Sequence, residues 1–351
     1  MAYQEVGTPR FYVNVFEWLS TMNTHYIIDS FAIPDDIFRT LPVNVQPRYD
    51  YAGQPGINVG FSNTIFTEME VHYADATPRI MGSKSFVAIL GHTITEEQGF
   101  LIAEYDGHPL AMSEDEINVN SGSEDGACEY KGFSILGRDF QDLTAVYILI
   151  DGDVDIGSII VGSYYNMPHS PDLKLTMTRE MEGVKRIRTK GGNDLVDYKY
   201  IKPPMWGKAG AWELYSDDIH NFSKIGRRNW ELSFSYFQDS DLFAPTESFS
   251  NIISDAEHYS DQEDIFWHTT SEGTGEVQQW NYNYLFGSHN DFYSQVIYKT
   301  KGGQLPFIFQ PDSNNPNPDQ FAICKFDMES FKFERITKNI YNIKLKIREV
   351  W

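Results

Sequence analysis

Asp151, Asp153 and Asp155 are the residues whose spacing comes nearest to a chemical motif. In Asp151-Gly152-Asp153-Val154-Asp155-Ile156-Gly157, three carboxylates at alternate positions match the opening of a calcium loop, where hard oxygen ligands gather around one cation. The match then fails. Glycine arrives one place late, and the twelfth position is Gly162 where a bidentate Glu is required. A tight turn with solvated aspartates is the expected structure, and neither a bound metal nor a cofactor is expected.

Other reactive patterns are weaker. The sequence contains no GxSxG, HExxH or GxxxxGK pattern. Its histidines, His25, His72, His92, His108, His169, His220, His258, His268 and His289, are scattered without metal-ligand spacing. A pair of carboxylates could serve a glycosidase, but among 50 acidic residues sequence selects no pair. Trp206, Trp212, Trp230, Trp267 and Trp280 could stack on sugar rings. Trp230, however, alternates with polar residues in a strand-like run, which places it in a core. The chain is therefore expected to be no enzyme.

The elements that must position these residues are mostly strands. Aromatic residues make up 15% of the 351, and period-2 alternation outnumbers helical periodicity, so the fold class expected is mainly β. The clearest strand ends the chain. Tyr341, Ile343, Leu345 and Ile347 form one face, and Asn342, Lys344, Lys346 and Arg348 the other. Trp230, Leu232, Phe234 and Tyr236 give a second alternating strand. Phe321–Phe326 and Ser330–Ile336 read as two strands joined in a hairpin by Asp327-Met328-Glu329. Asn290–Lys301 reads as one helix, with Asn290 as its cap and Gly302-Gly303 as its stop.

In the first half, Phe86–His92, Phe133–Asp139, Ala145–Ile150 and Ile156–Tyr165 read as short buried strands. Residues 8–20 fit a strand or a short helix equally well. Pro168–Pro171 marks a change of character and an expected domain boundary. The expectation is a jelly-roll-like β-sandwich over 1–171 and a second β-sandwich with one flanking helix over 172–351. Leu173–Thr178 alternates as a strand, Val184–Lys190 reads as a basic strand or hairpin around Gly191-Gly192, and residues 245–290 read as a long loop.

Charge bounds the partners. The net charge is −22, and it is uneven: residues 1–171 hold 7 basic and 24 acidic residues (−17), and residues 172–351 hold 21 and 26 (−5). Phosphate backbones and anionic lipid would be repelled, so nucleic acid and membrane surface are not expected partners. Cys128 and Cys324 lie far apart and suggest no disulfide framework, with Cys324 expected as a small core residue. No signal peptide and no apolar run of membrane-spanning length is visible, so synthesis and folding in a cytosol are expected.

Three stretches carry a resemblance. Gly226-Arg227-Arg228-Asn229-Trp230-Glu231-Leu232-Ser233-Phe234-Ser235-Tyr236, Gly302-Gly303-Gln304-Leu305-Pro306-Phe307-Ile308-Phe309-Gln310-Pro311 and the terminal strands resemble structural proteins of tailed bacteriophages, especially tail-tip and distal-tail proteins of marine phages. Asp155–Ile159 through Pro168 is similar to the same group. The resemblance is firmest over 130–351 and carries no catalytic residues. It implies a tail-tube-like module over 172–351 and a virion protein that forms a homo-oligomeric ring, contacts the tail tube and other tail proteins, and resides in the tail. Contact with host surface glycan is left open. The strands ending at Gly91-His92 and Gly137-Arg138 resemble galactose-binding jelly rolls more loosely. The rival readings are a glycan depolymerase and a carbohydrate-binding tail protein. Lys344, Lys346, Arg348 and Trp351 are the candidate assembly contacts, because a basic strand face in an acidic chain can meet a neighbour's acidic surface.

Overall fold

The structure is a computed structural model. It describes residues 7–21, 26–29, 38–40, 49–51, 57–61, 84–95, 100–105, 117–118, 126–129, 133–138, 145–150, 154–173, 176–180, 184–198, 205–206, 209–210, 227–243, 291–315 and 320–350. The chain is mainly β, and every strand pairing is antiparallel.

One 11-stranded sheet dominates. From edge to edge it runs Thr176–Glu180, Arg227–Gln238, Ile340–Glu349, Ala322–Phe326, Phe307–Gln310, Arg10–Asn14, Ser158–Asn166, Ser85–Leu90, Phe133–Arg138 and Gly126–Glu129, with Phe333–Thr337 added beside Ile340–Glu349. A 5-stranded sheet contains Tyr26–Asp29, Ile57–Phe61, Ala145–Ile150, Phe100–Tyr105 and Ile117–Asn118 in that order.

The large sheet crosses the expected boundary near residue 171. Arg10–Asn14 is zipped on one side to Ser158–Asn166 and on the other to Phe307–Gln310. The position of this one short strand joins the two halves of the sequence in a single hydrogen-bonded ladder.

Burial explains why some strands read as continuous apolar runs and others alternate. In the middle of the sheet both faces are covered. Phe11, Val13, Phe307 and Phe309 enter one core with the terminal strand, while Tyr12 and Ile308 enter a second with Phe86, Phe133 and Phe321. A strand buried on both faces has no polar side to show. The terminal strand is buried on one face only. Tyr341, Ile343, Leu345 and Ile347 point into the first core, and Lys344 and Lys346 point to solvent. Phe11 packs against Phe292, Phe307, Phe309 and Phe326, an aromatic cluster with centroid separations of 5.1–6.1 Å.

Several local expectations are corrected. Phe321–Phe326 and the strand after it do not form a hairpin. Ala322–Phe326 and Phe333–Thr337 lie end to end along the same edge of the terminal strand, and each pairs with that strand. The hairpin is the next one, between Phe333–Thr337 and Ile340–Glu349, and Asn339 turns it with φ 59°. Leu173 lies outside any strand and is fully exposed; the edge strand begins at Thr176.

Tyr236 leaves the apolar face to which alternation assigns it. The register shifts between Phe234 and Phe237, so that Ser235 and Tyr236 both sit opposite Asn342. This bulge turns Tyr236 outward, 73% exposed at φ 65°, and delivers Phe237 to the core in its place. Residues 8–20 resolve as both alternatives in succession, a strand at Arg10–Asn14 and a helix at Val15–Ser20.

The expected helix at 290–301 is wound more widely. Tyr293–Tyr298 is a π-helix, started by Asp291, whose Oδ1 accepts the Ser294 N–H at 2.8 Å. Gly302 and Gly303 stop it with φ 67° and 89°. No helix among the described residues is long and apolar enough to cross a membrane.

Candidate assembly surface

The terminal strand is held from beneath by a buried ion pair. Glu349 falls on the apolar face of its own strand, and Arg228 on the apolar face of the neighbouring one. The Arg228 guanidinium donates to Glu349 Oε1 at 2.9 Å and Oε2 at 3.1 Å, and to the Phe321 carbonyl at 2.7 Å. The Arg228 backbone N–H adds a bond to Oε2 at 2.9 Å. Its charged plane lies 5.3 Å from the Trp230 ring. Sequence reasoning missed this pair, although a signal existed: each residue is a charge at an apolar-face position of an alternating strand.

Above the sheet, the outward face of the same strand carries Lys344, Lys346 and Arg348. Lys346 Nζ lies 3.1 Å from Asp327, and Arg348 lies 2.7 Å from Glu180 on the edge strand. The Arg348 hydrogen bond lowers the Glu180 pKa, and the bond to Asp327 raises that of Lys346. Lys344 has no ion-pair partner among the described residues. Two of the three expected contact cations are thus engaged within the chain, and the face is a mixed ladder of charges. Trp351, Asp151 and Asp153 lie outside the described residues. Asp155 is in a short strand, Val154–Ile156, opposite Asp50. Gly162, the twelfth position of the calcium pattern, lies within the strand Ser158–Asn166. Among the described residues no group of three or more His, Cys, Asp or Glu side chains could hold a metal.

The outward face continues to an open sheet edge. Thr176–Glu180 pairs with Arg227–Gln238 on one side and, among the described residues, with no other strand on its second side. Three residues further on, Val184–Arg188 and Asp194–Tyr198 form a separate two-stranded hairpin. Thr189 and Asn193 close its turn with a backbone bond of 2.8 Å, and Gly192 supplies φ 86°.

A second polar group lies deep in the sheet. Lys299, fully buried at the C-terminal cap of the π-helix, donates to Gln295 Oε1 at 2.8 Å and Ser163 Oγ at 3.3 Å. Burial pushes its pKa down to about 7, opposed by the charge of Asp291, while burial pushes Asp291 up to about 6. Nearer the strand Arg10–Asn14, Glu17 accepts the Thr40 N–H at 3.0 Å, and Asn14 donates to Thr40 Oγ1 at 3.0 Å. His92 is buried against Ser134 at 2.9 Å, and desolvation lowers its pKa to about 4. These groups are enclosed, and each makes at least one hydrogen bond to its surroundings. Cys324 is likewise a buried core residue.

Lys299 gives a pH prediction. Its folded pKa lies below the unfolded value of about 10.4, so the unfolded chain binds the extra proton between about pH 7 and pH 10. Stability from this group therefore rises with pH across that window. Asp291 acts lower down. Its raised folded pKa makes stability fall as pH climbs from about 4 to 6. Urea midpoints should rise from pH 7 to pH 10 in the native chain, and Lys299→Met should flatten that rise. An equal rise in both proteins would refute the assignment.

No protein-family model matches the chain, and no curated protein matches it.

Proposed function

We propose that the chain is a structural component of a tailed-phage virion, a tail-tip, distal-tail or adaptor protein that assembles into a ring with copies of itself. One observation carries this reading. The stretches that resemble phage tail proteins are far apart in sequence, yet Arg227–Gln238, Ile340–Glu349, Ala322–Phe326 and Phe307–Gln310 are successive neighbours in the sheet. The main stretches of the resemblance therefore adjoin one another in the sheet, with the stretch through Pro168 in the same sheet beyond Arg10–Asn14. Residues 172–351 are read as the tail-tube-like assembly module and 1–171 as a jelly-roll-like outward module. The tail tube and other tail proteins are its further partners, host surface glycan is a contact for the outward module, and its location is the virion tail. The chain carries out no catalysis in this reading.

The outward face of the terminal strand, together with the sheet edge at Thr176–Glu180 on the far side of Arg227–Gln238, supplies the contact. Exposed ion pairs contribute little to monomer stability, whereas like charges brought together across an interface are costly. Lys344→Glu combined with Lys346→Glu should leave the circular-dichroism melting curve nearly unchanged and abolish the ring. Mass photometry and negative-stain electron microscopy would check both parts. A native chain that stays monomeric at micromolar concentration overturns the reading. Turnover of a bacterial polysaccharide, abolished by one Asp or Glu substitution, would replace it with the depolymerase.

A further inference from the structure

We propose that the hairpin formed by Val184–Arg188 and Asp194–Tyr198 is an arm with which one copy of the chain grips the acidic N-terminal half of the next. The inference rests on the ring-forming reading above and names the contact that the ring uses.

The arm is well formed, yet among the described residues no layer supports it. Five residue pairs complete its ladder, from Val184 opposite Tyr198 to Arg188 opposite Asp194, and no third strand joins it among the described residues. A lone two-stranded hairpin is marginally stable in water, because it lacks a second surface on which to bury a face. Here Ile187 and Leu195 sit directly opposite each other and remain 51% and 60% exposed. Such a pair gains about 25 cal/mol for every Å² of apolar surface that a partner covers. The space around the tip glycines is open. A Cβ added at Gly191 or Gly192 meets nothing within 4 Å.

Charge selects the occupant. Residues 184–198 hold four basic residues, Lys185, Arg186, Arg188 and Lys190, and two acidic ones, Asp194 and Asp197. The two aspartates lie across the ladder from Arg188 and Lys185. Arg186 lies opposite Val196, and Lys190 is in the turn, so neither has an acidic residue facing it in the ladder. Copies that each carry −22 repel one another unless a positive element meets a negative one. Residues 1–171 carry −17, the complementary charge, and a second copy always brings it. Only three residues separate the arm from Thr176–Glu180, the last strand of the large sheet on that side among the described residues, whose edge could take part in the same contact.

The test uses the full chain with a benzophenone amino acid in place of Leu195, as an equal mixture of light and heavy isotope preparations. After irradiation, mass spectrometry should find mixed-isotope crosslinks from position 195 to residues within 1–171. In parallel, Arg186→Glu with Lys190→Glu should weaken assembly by at least about tenfold while leaving the melting temperature in place, as expected for exposed cations at an interface. If rings form but the crosslinks stay within one chain, reach only 172–351, or do not form, the arm is excluded and the ring reading survives. Undiminished assembly of the charge-reversed variant excludes it equally. A native chain that is monomeric throughout overturns both.

Discussion

Glu349→Ala is expected to destabilise the protein by about 3–5 kcal/mol, the cost of leaving a buried charge without its partner. The Arg228 and Glu349 side chains are only 10% and 9% exposed, and each satisfies the other through three hydrogen bonds that include the Arg228 backbone N–H. Removing the carboxylate takes three hydrogen bonds from Arg228 and leaves its guanidinium nearly buried beside Trp230 with the Phe321 carbonyl still in reach. The pair ties Arg227–Gln238 to the terminal strand near the end of the chain, so the loss falls on that part of the large sheet. Desolvation of both ions nearly offsets their attraction, so the double substitution Arg228→Met with Glu349→Leu should recover most of the loss. Urea unfolding measures both. A single-variant loss under about 1 kcal/mol, or a double variant no more stable than Glu349→Ala, would show that the pair is not organised as described.

Gly162→Ala should cost at least about 3 kcal/mol, at or above the upper end for overpacking, and should open the junction between the two halves of the sheet. A Cβ at position 162 would overlap the carbonyl oxygen of Val13, and the Val13 carbonyl carbon and Val15 N–H lie close behind. The obstacle is backbone, which cannot swing aside as a side chain can. The strand Arg10–Asn14 would have to move, and it is the strand that pairs with both Ser158–Asn166 and Phe307–Gln310. The matched control is Gly191→Ala on the hairpin tip, where the added methyl meets open space and the change should stay within about 0.5 kcal/mol. Thermal melting of the two variants, with amide hydrogen exchange over residues 10–14, distinguishes them. Equal stability of the two would remove the argument for close approach at Gly162.

Where one face of a strand meets water, the strand can be read from sequence. Alternation in 341–348 places Ile343 and Leu345 inside and Lys344 and Lys346 outside, and burial follows it. The hairpin around Gly191-Gly192 follows from turn chemistry, and the mainly β class follows from the number of such strands. Reading fails where a neighbour decides. Phe307, Ile308 and Phe309 are all buried, so nothing in their order reveals which core each enters.

Tyr236 and Phe237 exchange places because a bulge forms opposite Asn342, and a bulge depends on the register of the partner strand. The hairpin predicted at 327–329 fails for a related reason. Ala322–Phe326 and Phe333–Thr337 each find the long edge of the terminal strand instead of each other.

Composition and periodicity thus determine what depends on a residue and its chain neighbours: the strand class, the polar and apolar faces of the half-buried strands, the acidic N-terminal half and the positive hairpin. Tertiary structure alone decides what depends on partners distant in sequence. It places Arg10–Asn14 between strands from residues 158–166 and 307–310, brings Arg228 to Glu349 across 121 positions, and encloses Lys299 with Ser163 across 136. The physical reason is that hydrogen-bonded pairing and desolvation are set by whichever group arrives across the sheet, and local sequence does not specify which group that is.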